Sequence, residues 1–130
     1  MKSALTLIAI VLFTASAALA QSLIEVVQKQ FYTYNAQNID GFVKEFSEDA
    51  VIYSNLGEKE PSMTGRSEIK ERYADMFAKS PENKSTLIGQ MVQGNFVFDH
   101  EWITGRDSEF KIMAISEIEN GQIIRAWFAR

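Results

Sequence analysis

The sequence predicts an α+β fold, with three N-terminal helices packed on one face of a curved antiparallel sheet. Apolar residues recur with helical spacing up to about residue 79, whereas the chain from Lys84 onward consists of strand-like runs separated by short turns. The pair Asn120-Gly121 is typical of a two-residue turn between antiparallel strands, because both turn positions need positive φ.

Three segments have the apolar spacing of helices. The first is predicted to begin at Ser22, which matches a capping box with Glu25, and its inner face comprises Ile24, Val27, Phe31 and Tyr34. The second fits residues 38–46, with an apolar side formed by Ile39, Phe42, Val43 and Phe46. The third runs from about Arg66 to Lys79 before Pro81, with a stripe of Ile69, Tyr73, Met76 and Phe77.

Five segments are predicted to be strands. The first covers residues 50–54, and a loop with Gly57, Pro61 and Gly65 follows it. The other four form a meander over residues 84–93, 95–104, 109–119 and 122–130.

The first twenty residues are predicted to be a cleaved signal peptide. Lys2 supplies a positive start, residues 4–13 form a short apolar run, and Ala18-Leu19-Ala20 matches an A-x-A cleavage site. The apolar run is shorter than the roughly 20 residues that a membrane-spanning helix needs. The prediction is therefore an exported chain, periplasmic or secreted, whose domain covers residues 21–130 and which has no membrane span after cleavage.

Composition excludes several classes of function. The 130 residues suit one domain, and the net charge of −4, without a dense Lys/Arg run, argues against a nucleic-acid partner. The chain has no cysteine, which excludes thiol nucleophiles, zinc–thiolate sites and disulfides. No phosphate-binding glycine loop or haem-attachment motif is present, so no cofactor is predicted.

The segment FVFDHEWITG, residues 96–105, holds the only histidine, His100, between Asp99 and Glu101. Strand alternation places His100 on one face with Phe96, Phe98 and Trp102, and the two carboxylates on the other. Asp99, His100 and Glu101 therefore do not form a catalytic triad merely because they are adjacent in sequence. His100 is either a pocket base or a residue of the outer face, and the carboxylates are expected on a solvated face with Lys111 or Arg125 as cross-strand partners. One histidine is too few for the common iron site, so no metal is predicted.

Four segments resemble the SnoaL-like branch of the nuclear-transport-factor-2-like superfamily, which has the ketosteroid-isomerase-like fold. They are YNAQNIDGFVKEFSEDAVIY (34–53), GRSEIKERYADMF (65–77), GNFVFDHEWITG (94–105) and ISEIENGQIIRAWF (115–128). The resemblance implies a cone-shaped sheet whose open side is filled by three helices around an apolar pocket, and a homodimer formed through the outer sheet face. Because the superfamily contains both enzymes and proteins without chemistry, the fold alone does not decide function.

The resemblance does not extend to the catalytic groups of ketosteroid isomerase, which are an aspartate base, a tyrosine and a protonated aspartate. Alignment places Ser54 at the base position, Gln30 at the tyrosine position and Ala114 near the protonated acid. All three groups are therefore missing, whereas Gln30 and Ser54 stay candidates for binding a pocket ligand. Tyr34 and Trp127 are further candidates, since each offers a polar tip on an aromatic wall.

Three hypotheses follow for the function. The first is a domain that binds a small apolar molecule in the cone pocket, with Gln30, Tyr34, Ser54, His100 and Trp127 as candidate contacts. The second is an isomerase, lyase or cyclase with His100 as general base. The third is a structural dimer or partner-binding domain, which predicts a filled cone. Neither the ligand nor catalytic activity follows from the sequence.

Overall fold

The computed structural model describes the backbone of residues 2–130 and the side chains of residues 16–130. Three helices and six strands form an α+β arrangement that agrees with the predicted fold class. In chain order they are α1 (Lys2–Asn35), α2 (Ile39–Lys44), β1 (Phe46–Tyr53), β2 (Met63–Thr64), α3 (Arg66–Lys79), β3 (Lys84–Gln93), β4 (Phe96–Thr104), β5 (Phe110–Glu119) and β6 (Gln122–Ala129).

Helix α1 is longer than the sequence predicts. Ser22 lies inside it and not at its N-cap, since residues 2–21 contain no glycine or proline that would end the preceding turns. The predicted capping box is therefore wrong for the full chain. The signal-peptide prediction concerns a segment whose side chains 1–15 lie outside the described residues, and it stays a prediction. Among the residues described, no helix has the length and apolarity that crossing a membrane requires.

Helix α3 has its predicted bounds, whereas α2 is shorter than predicted, because it ends at Lys44 and Phe46 begins β1. The side chain of Asn38 caps α2 by accepting from the Gly41 N–H. Helix α3 follows Gly65, which has φ +88°, and its first residue, Arg66, donates from Nε to the Phe46 carbonyl at 3.0 Å. This contact fixes the start of α3 against β1.

The sheet has the order β2-β1-β6-β5-β4-β3. Strands β3 to β6 form the predicted antiparallel meander, whereas β1 pairs parallel with β6 and makes the curved sheet mixed. The two residues of β2 were predicted to be loop, and they pair with β1 at Val51 and Ile52. Asn120 and Gly121 have φ values of 52° and 74°, as the turn prediction requires.

The core lies between the helices and one face of the sheet, called here the inner face. Its largest fully buried apolar side chains come from all layers: Phe42, Ile52, Ile69, Val97 and Ile123. The opposite, outer face is also aromatic, with Trp127 stacked on Tyr53 at 5.7 Å and Phe96 6.3 Å from Trp127. Both faces of β4 thus carry large apolar side chains.

Candidate functional site

A cavity of about 290 Å³ separates the inner face from helices α1 and α3. Most of the wall is apolar, from Val27, Phe31, Phe46, Met63, Met76, Ile103, Phe110, Ile112, Ala114, Ala126 and Phe128. Its polar members are Gln30, Tyr34, Ser54, Arg72, Tyr73, Asp99, Glu101, Arg106 and Ser116.

Two carboxyl groups enter the cavity from strand β4. Asp99 and Glu101 are two residues apart and therefore share the inner face with Val97 and Ile103. Asp99 is only 2 % exposed and accepts a hydrogen bond from Gln90 Nε2 at 2.8 Å. Glu101 accepts from Ser85 Oγ at 2.6 Å. Within the part of the chain described, neither carboxylate pairs with a cation.

Burial changes the acid–base chemistry of both carboxyls. Loss of hydration raises the pKa of Glu101 from 4.5 to about 7, with the Ser85 hydrogen bond lowering it and the nearby Asp99 charge raising it. Burial likewise raises the pKa of Asp99, against the hydrogen bond from Gln90. Near neutral pH, Glu101 therefore exists in both protonation states, which is the condition for a group that takes up and returns a proton.

A buried hydrogen-bond network forms another part of the wall. Asn83, which is fully buried, donates from Nδ2 to Tyr34 Oη at 2.6 Å and accepts from Arg106 Nε at 3.2 Å. Arg106 also donates from Nη2 to Tyr34 Oη at 3.0 Å and contacts Met76 Sδ. The Tyr34 oxygen thus accepts two hydrogen bonds, which strengthens its own O–H as a donor.

The loop that carries Arg106 has little freedom. Gly105, the preceding residue, has φ +79°, and a Cβ placed there would lie 1.9 Å from the Glu82 carbonyl oxygen. Only glycine therefore allows this loop to pack against the segment before β3, which includes Asn83. The ring of Tyr34 is held in place by an edge-to-face contact with the ring of Phe77, and the two ring centroids are 5.5 Å apart.

Three of the five predicted contacts line this cavity, namely Gln30, Tyr34 and Ser54. His100 and Trp127 are not part of its wall. His100 pairs with Met113 and Gly89 on the outer face, and Trp127 stacks there on Tyr53. The hypothesis of His100 as a pocket base is corrected accordingly, because strand alternation turns its ring away from the cavity.

The sequence did not identify the charged groups of the cavity. Asp99 and Glu101 were expected on a solvated face, but Arg125 pairs instead with Glu117, at 2.6 Å from Nε, and neither cavity carboxylate meets Lys111. Asn83 and Arg106 belong to no sequence motif, so the sequence analysis did not select them. The signal that could have pointed to Asp99 was its position between Val97 and Ile103, which are both buried. The described residues contain no group of three or more side chains placed to hold a metal ion.

Comparison with known proteins agrees with the fold described above. A cystatin-fold protein from Novosphingobium aromaticivorans superposes with a TM-score of 0.76 at 23% identity, covering 83% of this chain and 97% of that one. A candidate SnoaL-like polyketide cyclase from Jannaschia sp. CCS1 gives 0.73 at 14% identity, with 85% of each chain covered. An NTF2-like protein of unknown function from Cytophaga hutchinsonii gives 0.68 at 15% identity, over 82% and 87% of the two chains.

These similarities show a shared fold. Among curated proteins, no sequence matches this chain. The model of the SnoaL-like domain, in contrast, matches residues 27–126, a span that runs from α1 to β6 and includes every polar residue of the cavity wall. The chain is therefore a member of the SnoaL-like domain family.

Proposed function

We propose that the protein binds a small, mostly apolar molecule in the cavity between α1, α3 and the inner face. The observation that carries this proposal is the cavity of about 290 Å³ with a mostly apolar wall and a few inward polar groups, the usual composition of a ligand site. A purely structural role is less well supported, because it predicts a filled cone.

A second function, proton transfer to and from the bound molecule, is supported by the position and the raised pKa of Glu101. Its carboxyl has a pKa of about 7 and lies in the same wall as Tyr34. The carboxylate would remove a proton from carbon, while the Tyr34 O–H would stabilise the negative charge that develops on a ligand oxygen. The protonated carboxyl would then return the proton to another atom, giving an isomerisation, or assist a leaving group, giving a lyase reaction.

One ligand, 2-tetralone, tests both proposals, because it is small, mostly apolar and has acidic C–H groups beside a carbonyl. We expect saturable binding by calorimetry and faster exchange of its C–H protons in D₂O, followed by NMR. Ser54→Phe should abolish both by filling the cavity. Glu101→Gln should retain binding and lose the exchange.

Ser67→Phe is the matched control for the first variant, since Ser67 is exposed on α3 outside the cavity wall. It should leave binding and exchange unchanged. Binding that persists in Ser54→Phe and in a second filling variant, Ala114→Leu, would rule out this cavity as the site. Exchange that persists in Glu101→Gln would remove Glu101 from the reaction while leaving the binding proposal intact.

We also propose that two copies of the chain associate through the outer face. Trp102 is 42% exposed and Met91 is 59% exposed on this face, next to the aromatic cluster of Tyr53, Phe96 and Trp127. Such a patch favours association.

Trp102→Glu is expected to give a monomer in analytical ultracentrifugation. Leu56→Glu, which changes a more exposed apolar side chain (55%) on the β1–β2 loop, should leave a dimer; a monomeric parent protein would disprove the proposal.

We also propose that the protein is exported, because its N-terminal residues 1–20 match the pattern of a cleaved signal peptide. Cleavage after Ala20 predicts that the intact mass of the exported protein corresponds to residues 21–130. A mass that retains residues 1–20 would contradict it.

A further inference from the structure

The guanidinium of Arg106 lies in the cavity wall without a carboxylate partner. Its hydrogen bonds go to Tyr34, Asn83 and Met76, all of which are uncharged. The ion pairs among the described side chains are Lys70–Asp40, Lys79–Asp75 and Arg125–Glu117, so none of them includes Arg106. A half-buried, permanent positive charge thus lies at this end of the cavity without a salt bridge, against the face of the Phe110 ring, whose centroid is 5.7 Å from Arg106 Cζ.

Arg106 has N–H donors that its hydrogen bonds within the protein do not use. Arginine has five N–H donors: one on Nε and two on each terminal nitrogen. The Nε donor is used by Asn83, and Nη2 serves Tyr34 and Met76. Both donors of Nη1 have no acceptor among the described residues. Tyr34, whose oxygen accepts from Nη2 of the same guanidinium, lines the same cavity and has a further donor in its O–H.

This donor set suits an oxoanion. The two unused N–H groups diverge from one nitrogen, so a carboxylate oxygen can accept from one of them, and such a charge-assisted bond is about twice as strong as a neutral one. The network also fixes Arg106 before a ligand arrives, because buried Asn83 and the tightly packed Gly105 restrict both its side chain and its backbone. Little side-chain entropy would be lost on binding.

We propose that the molecule bound in the cavity carries a carboxylate, and that Arg106, assisted by Tyr34, binds it. This inference rests on the proposed function and narrows the ligand class to small, otherwise apolar carboxylic acids. The carboxylate end would contact Arg106, and the apolar body would fill the part of the cavity lined by Ile112, Ala114 and Ala126.

Two ligands of equal shape test the inference, 2-naphthoate and its neutral analogue 2-naphthamide. Calorimetry with the purified parent protein at pH 7.5 should show that the carboxylate binds about tenfold or more tightly than the amide. Arg106→Gln should reduce the affinity for 2-naphthoate to that for 2-naphthamide and leave the amide's affinity unchanged. Arg106→Lys, which retains the charge without the planar donor pair, should retain part of the preference.

Lys70→Gln is the matched control, since it removes one positive charge from α3 at a residue outside the cavity wall. It should retain the full preference for the carboxylate. Equal binding of both ligands to the parent protein, or a preference that survives Arg106→Gln, would overturn the role of Arg106 and leave the binding proposal standing. If 2-tetralone and both naphthalenes fail to bind, the proposed function fails together with this inference.

Discussion

Glu101→Gln is expected to make the protein more stable than its parent at alkaline pH. The parent has to ionise a carboxyl that burial disfavours, with a pKa of about 7 in the folded chain against 4.5 for an ordinary glutamate. The folded state therefore binds a proton more tightly than the unfolded state does. The stability of the parent falls as the pH rises from 4.5 through 7, and the loss is complete above that range.

The difference between these two pKa values corresponds to about 3 kcal/mol of unfolding free energy. Glutamine is uncharged, has nearly the same shape and can still accept the Ser85 hydrogen bond, so it avoids this cost. We expect urea denaturation at pH 8.5 to show the variant more stable by roughly 2–3 kcal/mol. At pH 4.5 the two proteins should differ by less than about 0.5 kcal/mol, because the carboxyl of the parent is then mostly protonated when folded.

Glu109→Gln is the control for the overall charge, since Glu109 is exposed in the β4–β5 loop. It should follow the parent at both pH values. A Glu101→Gln variant with the same pH profile as the parent would show that Glu101 is well hydrated, and its proposed part in proton transfer would lose its physical basis. Asp99, whose pKa burial also raises, is present in all three proteins, and the effect of Glu101→Gln therefore includes the loss of the repulsion between the Asp99 and Glu101 charges.

Gly105→Ala is expected to lower the unfolding free energy by more than about 3 kcal/mol. Its Cβ would lie 1.9 Å from the Glu82 carbonyl oxygen and 2.8 Å from the Asn83 backbone nitrogen. Backbone atoms cannot rotate out of the way as a flexible side chain can, so the loop must move. Because Arg106 follows directly, the same change should also weaken the binding of 2-naphthoate more than that of 2-naphthamide.

Gly57→Ala is the control that measures the cost of positive φ for alanine without a steric clash. Gly57 also has positive φ, +88°, but a Cβ added there meets nothing within 4 Å. Alanine at this position should cost only the conformational term, about 1 kcal/mol. Equal losses in the two variants, measured by urea denaturation, would mean that the β4–β5 loop does not pack closely on the segment before β3.

Local sequence patterns were sufficient for most elements of the fold. The spacing of Ile69, Tyr73, Met76 and Phe77 predicted α3, and the strand-like runs after Lys84 predicted the four meander strands with bounds close to those observed. Helical and strand periodicities arise from which side chains face the core, and the sequence contains that information directly. The parallel pairing of β1 with β6 was not predictable in this way, because the paired residues are 74 to 77 positions apart in the chain.

The interior of the cone was decided by tertiary structure. On β4, alternation separated Asp99 and Glu101 from His100, but both sets have apolar neighbours, so periodicity did not show which set faces the helices. The general rule that carboxylates are solvated then favoured the wrong face. Packing of α1 and α3 over the inner face encloses Asp99 and Glu101 and leaves His100 outside.

Residue identity and local spacing were sufficient to predict the α+β class and the order of the elements apart from the two-residue strand β2. Only the tertiary structure brought Tyr34, Asn83 and Arg106 together, from three segments with no common motif. Their hydrogen bonds span 23 to 72 residues of chain. Contacts at such separations depend on how whole elements pack, which local periodicity does not contain.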